Sequence, residues 1–158
     1  MIHVDRYEKW WIGLSGAVII VFFLAVLVSA FAFGFQVPYT SAQVDPNTVK
    51  NTAPFNEPGM KQVAPGKYEA YVVTQARPWV FQPAEMTVPV GSEVTFYVTS
   101  MDVQHGFMVE GTNVNMMSLP GRVAKLSHTF TQPGVYHYVC HEYCGAGHQY
   151  MFGTLLVE

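Results

Sequence analysis

Between Lys9 and Asp45 the chain carries no charged residue. Within that stretch, Trp10 to Phe35 is almost entirely apolar or small. Coiled as a helix at 1.5 Å per residue it reaches roughly 39 Å, more than the ~30 Å hydrocarbon core of a bilayer. Trp10 and Trp11 at one end, with Phe35 and Tyr39 at the other, stand where interfacial aromatic anchors stand. A buried core helix this long and uniform does not suit a chain of 158 residues. A cleaved signal peptide is the stronger rival, because Val28-Ser29-Ala30 reads as a small-residue cleavage site. Against it, the apolar region exceeds the usual ~7–15 residues, and Asp5 and Glu8 sit beside Arg6 and Lys9 in the leader. The expectation is a retained, single-pass transmembrane helix over residues 10–36 behind a cytoplasmic tail, 1–9. Arg6 and Lys9 precede the span and no Lys or Arg follows it until Lys50. The positive-inside rule then leaves the C-terminal domain on the periplasmic, extracytoplasmic side of the cell membrane.

Only 12% of the chain is charged, about half of the ~25% usual for a soluble domain. Beyond the span, Lys50, Lys61, Lys67, Arg77, Arg122 and Lys125 face nine of the chain's 11 acidic residues. That part is mildly acidic and has no basic stripe, so no nucleic-acid partner is expected. Residues 37–66 hold Pro38, Pro46, Pro54, Pro58 and Pro65 and read as a linker with little regular structure. From Lys67 onward the pattern is β. Tyr68 to Val73, Ala84 to Val90, Glu93 to Thr99, His105 to Val109, Val123 to Phe130, Val135 to Cys140 and Tyr150 to Val157 read as short strands. Gln132-Pro133-Gly134 supplies a turn. Strands spaced about ten residues apart point to an all-β Greek-key sandwich or barrel over residues 67–158.

The chemistry concentrates between the last two strands. Cys140-His141-Glu142-Tyr143-Cys144-Gly145-Ala146-Gly147-His148-Gln149-Tyr150-Met151 spaces its ligand-type residues as C-x-x-x-C-x-x-x-H-x-x-M. The chain's two cysteines are both here. Two thiols, an imidazole and a thioether form a soft set suited to copper. A loop held at both ends by a sheet can fix their geometry. One more ligand is expected from elsewhere, and His105, which follows a strand and precedes Gly106, is the best placed. Three plainer readings compete: a Cys140–Cys144 disulfide, a Cys2His2 zinc site, and Met151 as a core residue only. The first leaves His148 and Met151 unexplained, and the second leaves Met151 idle. A one-copper site needs two His, one Cys and a weak axial Met, so here one thiolate is spare. Two thiolates can bridge two copper ions, each with one terminal imidazole, the weak outer ligands being Met151 and a backbone carbonyl. Such a centre suits electron transfer, since no position is left open for a substrate.

On that loop, on Gly111-Thr112-Asn113 and on Met151-Phe152-Gly153, the chain resembles the binuclear copper (CuA) domain of cytochrome c oxidase subunit II. It is most similar to the short, single-helix form of the B-family haem–copper oxidases. The resemblance covers nearly the whole chain and implies a cupredoxin-like fold. It assigns Cys140 and Cys144 as bridging thiolates, His105 and His148 as terminal imidazoles, Met151 as weak thioether ligand and Glu142 as a ligand through its carbonyl. It also implies a magnesium ion as an option, held by the Glu142 side chain at the interface with subunit I. The commoner members of the family have two spans, so a small single-helix subunit is a further expected partner. His141, His128 and His137 are expected to be ordinary surface or sheet residues, and His3 to face water.

Arg77-Pro78-Trp79-Val80-Phe81 is an aromatic-bearing loop that reads either as a filler of the core edge or as an exposed docking patch, extended by Met116, Met117 and Leu119. The resemblance places the residue that receives the electron at Trp79, from a cytochrome c-type donor. It places the route onward, to haem in subunit I, at His148 and the loop backbone. Asp102, three residues before His105, is a candidate acceptor orienting an imidazole. The function expected is therefore an electron relay in a respiratory terminal oxidase, with oxygen reduction on subunit I. The alternatives are a membrane-tethered copper carrier, which needs an exchangeable site, and a reductase such as nitrous oxide reductase. The latter needs a large further domain for which 158 residues leave no room.

Overall fold

Asp5 starts the helix. Its carboxylate accepts the Tyr7 N–H at 2.8 Å, and the Glu8 carboxylate accepts the Asp5 N–H at 3.3 Å. This reciprocal cap satisfies two of the N–H groups that open any helix. The helix α1 (Arg6–Phe33) ends at Gly34, whose φ of 61° terminates it in the left-handed region. Its 28 residues span about 42 Å. It has no apolar stripe: it is apolar all round, with a mean hydropathy of 2.8 over its most apolar window, and none of it is buried. A helix of that length and composition is able to cross a bilayer and fits a membrane anchor. The capped turn Arg6–Lys9 extends it beyond the expected start at Trp10. The structure is a computed structural model and describes residues 4–34 and 36–158, so His3 and Phe35 lie outside it. The helix belongs to one compact unit, 1–36, and the β part to another, 37–158.

Eleven strands build the second unit: β1 (Tyr39–Gln43), β2 (Gly59–Ala64), β3 (Lys67–Gln75), β4 (Val80–Gln82), β5 (Glu85–Val88), β6 (Glu93–Ser100), β7 (His105–Val109), β8 (Asn115–Ser118), β9 (Arg122–Thr129), β10 (Gly134–Val139) and β11 (Phe152–Val157). One sheet runs β1-β9-β6-β3-β2, with β4 beside β3; the other runs β5-β11-β10-β7-β8. The expected all-β sandwich is therefore present, and the chain crosses between sheets after β4, β5, β6, β8 and β9. β3 and β6 pair in parallel from Lys67↔Glu93 to Thr74↔Ser100. β10 and β11 pair antiparallel from Gly134↔Val157 to Val139↔Phe152. That second register holds the ligand loop by both ends.

The segment 37–66 is more ordered than a linker. β1 pairs with β9 and β2 with β3. Val49 and Phe55 are buried with Val73 and Val123 in a small second core. Both strands sit at sheet edges, and β1 is exposed along its whole length. An edge strand exposed on both faces shows no alternation of apolar and polar residues, so its sequence reads as loop.

The main core interleaves the inward residues of both sheets, among them Val72, Phe81, Phe96, Phe107, Tyr138 and Leu155. Phe81 meets Phe107 and Tyr138 edge-on at centroid distances of 5.7 and 5.3 Å. Tyr138 reaches out of this cluster to donate to the Pro83 carbonyl at 2.9 Å. Its ring lies over Gly153, where an added Cβ would sit 2.2 Å from Cε2. Because Tyr138 is fully buried it has nowhere to retreat. Gly153→Ala is expected to destabilise the protein by about 1–3 kcal/mol through overpacking. Tyr138→Phe, which loses only the hydrogen bond, should cost about 1 kcal/mol. Denaturant titration of the detergent-solubilised chain, followed by near-ultraviolet circular dichroism, ranks the two; equal costs would refute the overpacking account.

Candidate metal centre

The loop from Cys140 to Met151 closes on itself. The Cys140 N–H donates to the Met151 carbonyl at 3.1 Å, one rung beyond the Val139↔Phe152 pair. Inside, the His148, Tyr150 and Met151 N–H groups bond back to Gly145, Gly147 and His148 carbonyls at 3.1, 3.0 and 3.1 Å. This short 3-10 turn, His148–Tyr150, turns His148 and Met151 toward the cysteines. The two Sγ atoms are 3.7 Å apart. That is far beyond the ~2.05 Å of a disulfide, and both thiols are free.

Each sulfur has an imidazole beside it. His105 Nδ1 lies 3.9 Å from Cys140 Sγ, and His148 Nδ1 lies 3.6 Å from Cys144 Sγ. Met151 Sδ is 3.9 Å from Cys144 Sγ, and the Glu142 carbonyl oxygen is 3.2 Å from Cys140 Sγ. One ligand-type atom each from His105, Cys140 and Cys144 falls within a span of 4.8 Å. The sequence-expected set is thus brought together from one loop and from the start of β7. Cys140, Cys144 and Met151 are buried, and His105 is fully so.

The electrostatics call for a cation. Burial opposes ionisation of Cys140, but the His105 imidazole and the Gly106 and Glu142 backbone outweigh it and hold that thiol down at about 6. At Cys144 burial and the neighbouring Cys140 act together and push the thiol up to about 12. The protein by itself stabilises one thiolate and resists the second. Positive charge between the sulfurs removes that conflict, and a soft metal suits the donors. The residues present therefore fit copper.

Asp102 organises the other side of His105. Its Oδ1 lies 3.0 Å from His105 Nε2 and accepts the Val103 N–H at 2.7 Å. With Nε2–H donating to the carboxylate, the Nδ1 lone pair is left facing Cys140. Burial lowers the proton affinity of His105, but Cys140 and Asp102 more than offset it, so its pKa is raised. The Asp102 Oδ2 atom accepts the Ala76 N–H at 2.6 Å. Ala76 precedes Arg77, which sits at a φ of 76°, a strained value for a residue with a side chain. Gln75 donates to the Arg77 carbonyl at 2.9 Å and braces the turn.

That turn delivers Trp79. Its Nε1–H donates to the Cys144 carbonyl at 3.1 Å. Its ring lies on Gly145 and Gly147: an added Cβ would come within 3.1 Å of Cζ2 at Gly145 and 2.2 Å of Cε3 at Gly147. The two glycines are site residues that spacing alone does not reveal, although the run Cys144-Gly145-Ala146-Gly147-His148 contains the signal. Trp79 is half-buried and packs against the main core. Met116, expected on the same patch, is instead a core residue, 1% exposed. His141 is exposed and its ring covers Gly106. His128 bonds Asn113 at 2.8 Å, and His137 lies exposed on β10.

Comparison with known proteins places this geometry. The family model described as "Cytochrome C oxidase subunit II, periplasmic domain" matches residues 67–157. A cytochrome c oxidase subunit 2 of Thermus thermophilus is 41% identical over 156 residues, covering 96% of this chain and 92% of that one. A second Thermus thermophilus protein of the same name is 46% identical over 118 residues, covering 73% of this chain and 86% of its own. A chain of a haem–copper terminal oxidase dimer, solved by cryo-electron microscopy, superposes with a TM-score of 0.78 at 34% identity, covering 97% of this chain and 100% of that one. The periplasmic domain of subunit II of the Bradyrhizobium japonicum cytochrome oxidase shares the fold, with a TM-score of 0.52 at 22% identity over 57% of this chain and 83% of that one. A membrane-anchored cupredoxin-like domain that gathers thiols, imidazoles and a thioether at one sheet end, and matches two of these relatives nearly end to end, belongs to the cytochrome c oxidase subunit II family.

Proposed function

We propose that this chain is the electron relay of a haem–copper terminal oxidase, receiving electrons from a cytochrome c-type donor and passing them to haem in subunit I. The observation that carries the reading is the pair of sulfurs 3.7 Å apart with one imidazole beside each. In this proposal Cys140 and Cys144 would be the thiolates shared by two copper ions, His105 and His148 would be the terminal ligands, and Met151 and the Glu142 carbonyl the weak ones. When bound, the copper pair supplies a one-electron couple whose charge is spread over both metals.

The chain's own part is to keep that set from moving. The β10–β11 register fixes both ends of the loop, and Asp102 fixes the His105 ring. Burial excludes water, which would otherwise reorganise around each change of charge. A carrier needs an exchangeable site, and ligands this buried argue for retention instead. Trp79, stacked on Gly145 and Gly147 and bonded to the Cys144 carbonyl, is the group through which the donor's electron arrives. His148, half-buried on the same loop, faces the way out to subunit I. The Glu142 carboxylate is the group that would hold magnesium at that interface. The helix anchors the chain with its N-terminus in the cytoplasm and the copper domain in the periplasm, and a small single-helix subunit would supply a second span.

Four outcomes test this reading. The copper-loaded chain should be purple, and its electron paramagnetic resonance should show one electron shared by two equivalent copper nuclei. Cys140→Ser and Cys144→Ser should each abolish that shared pattern; a single-copper pattern in the unmodified chain would refute the binuclear site. Asp102→Ala, which frees the His105 ring, should weaken copper affinity by about 10–100-fold in competition with a chelator. Trp79→Ala should slow electron uptake from a reduced cytochrome c in stopped flow while the copper spectrum persists, and unchanged uptake would remove Trp79 from the route.

A further inference from the structure

The ligands are closed off on several sides. Trp79 covers the loop at Gly145 and Gly147, His141 covers Gly106, and His105 has no exposed surface. An open groove of about 470 Å³ leads in from elsewhere. Its lining brings the exposed pair Glu110 and His137 together with Val139, Phe152 and three residues of the ligand set, His148, Cys140 and Met151. Glu110 and His137 are exposed and adjacent, because the Glu110 N–H donates to the His137 carbonyl at 2.9 Å. The His137 ring stands edge-on to Phe152 at 6.2 Å, so an otherwise free side chain has a preferred position beside the groove. Neither residue belongs to the ligand set proposed above.

We infer that this groove is the path by which copper reaches the site, with His137 as its first ligand and Glu110 as the charge that draws the cation in. The inference rests on the copper reading. The residues that share the lining suit a soft cation: a carboxylate that concentrates positive charge, imidazoles, and thioether and thiol residues. The transfer is ligand exchange at constant oxidation state. The copper–nitrogen bond to His137 breaks as a bond to a donor of the resident site forms, and each thiol that becomes a ligand releases its proton to water. Because His148 also lines the groove, a partner seated against His148 closes it, so copper enters before that partner docks.

The test is the rate of copper uptake, separate from the amount held. Detergent-solubilised, copper-free full chain is mixed under anoxic conditions with cuprous ion buffered by a chromophoric chelator, and transfer is followed by loss of the chelator complex. His137→Ala should take up copper several-fold more slowly yet reach the same copper content. Glu110→Gln should slow uptake about two- to threefold at low ionic strength, with the difference lost in high salt. Both positions are exposed, and far-ultraviolet circular dichroism verifies that the variants fold. Unchanged rates in both variants overturn the proposal. A lower final copper content in His137→Ala also overturns it, since that residue would then belong to the resident site. Failure of the unmodified chain to bind copper would instead sink the copper reading itself.

Discussion

Val139 sits opposite Phe152, and everything chemical in this protein depends on that rung. It fixes the two feet of a loop that carries both cysteines, the ligand-type His148 and Met151. The next hydrogen bond, from the Cys140 N–H to the Met151 carbonyl, shuts the loop at its neck. A slip of one residue in this register would turn Cys140 from the buried side to the outside. The aromatic cluster of Phe81, Phe107 and Tyr138 resists that slip, because Tyr138 fits only where Gly153 opposes it. Core packing and ligand geometry are thus one constraint: the ring that fills the sandwich also sets which face each sulfur takes.

The same coupling runs through Asp102. One carboxylate orients the His105 ring and also accepts from Ala76, at the foot of the strained turn that presents Trp79. Trp79 in turn bonds the loop it covers. Three chain segments far apart in sequence are therefore tied in a ring around the sulfur pair. The tie also explains how a site with one stabilised and one resisted thiolate keeps its shape: the hydrogen bonds, not the charges, hold the donors at their spacing.

Much of this was legible in the sequence because it is local. The C-x-x-x-C-x-x-x-H-x-x-M spacing places four donors on one loop, and they converge as that spacing implies. His105 was legible by its position at a strand start, ahead of Gly106. What the sequence hid is through-space or unpatterned. Gly145 and Gly147 look like turn glycines until Trp79, 65 residues from its hydrogen-bond partner Cys144, is found lying on them. Met116 looks like part of a surface patch because β8, four residues long, is too short to show alternation and reads as loop; the strand buries it. β1 and β2 escaped because edge strands bury too little to show alternation. The helix start shifted from Trp10 to Arg6 because a cap made by Asp5 and Glu8, not hydropathy, decides where helical hydrogen bonding begins.

A relay and a loading site make opposite demands. Fast electron transfer favours ligands that are buried, tied and unable to follow a change of charge, and such a site exchanges metal slowly. Loading needs at least one approach along which ligands can be met in turn. The two are compatible only if the approach is separate from the elements that confer rigidity. Here the rigid elements are the Asp102–Ala76 tie, the Trp79 cover and the strand rung. None of Asp102, Ala76 and Trp79 lines the groove past Glu110 and His137, which meets the strand rung at Val139 and Phe152 and the neck of the loop at Cys140 and Met151. Two of the three elements that confer rigidity thus stand apart from the approach, and in our inference the fold admits copper there while they hold the donors still.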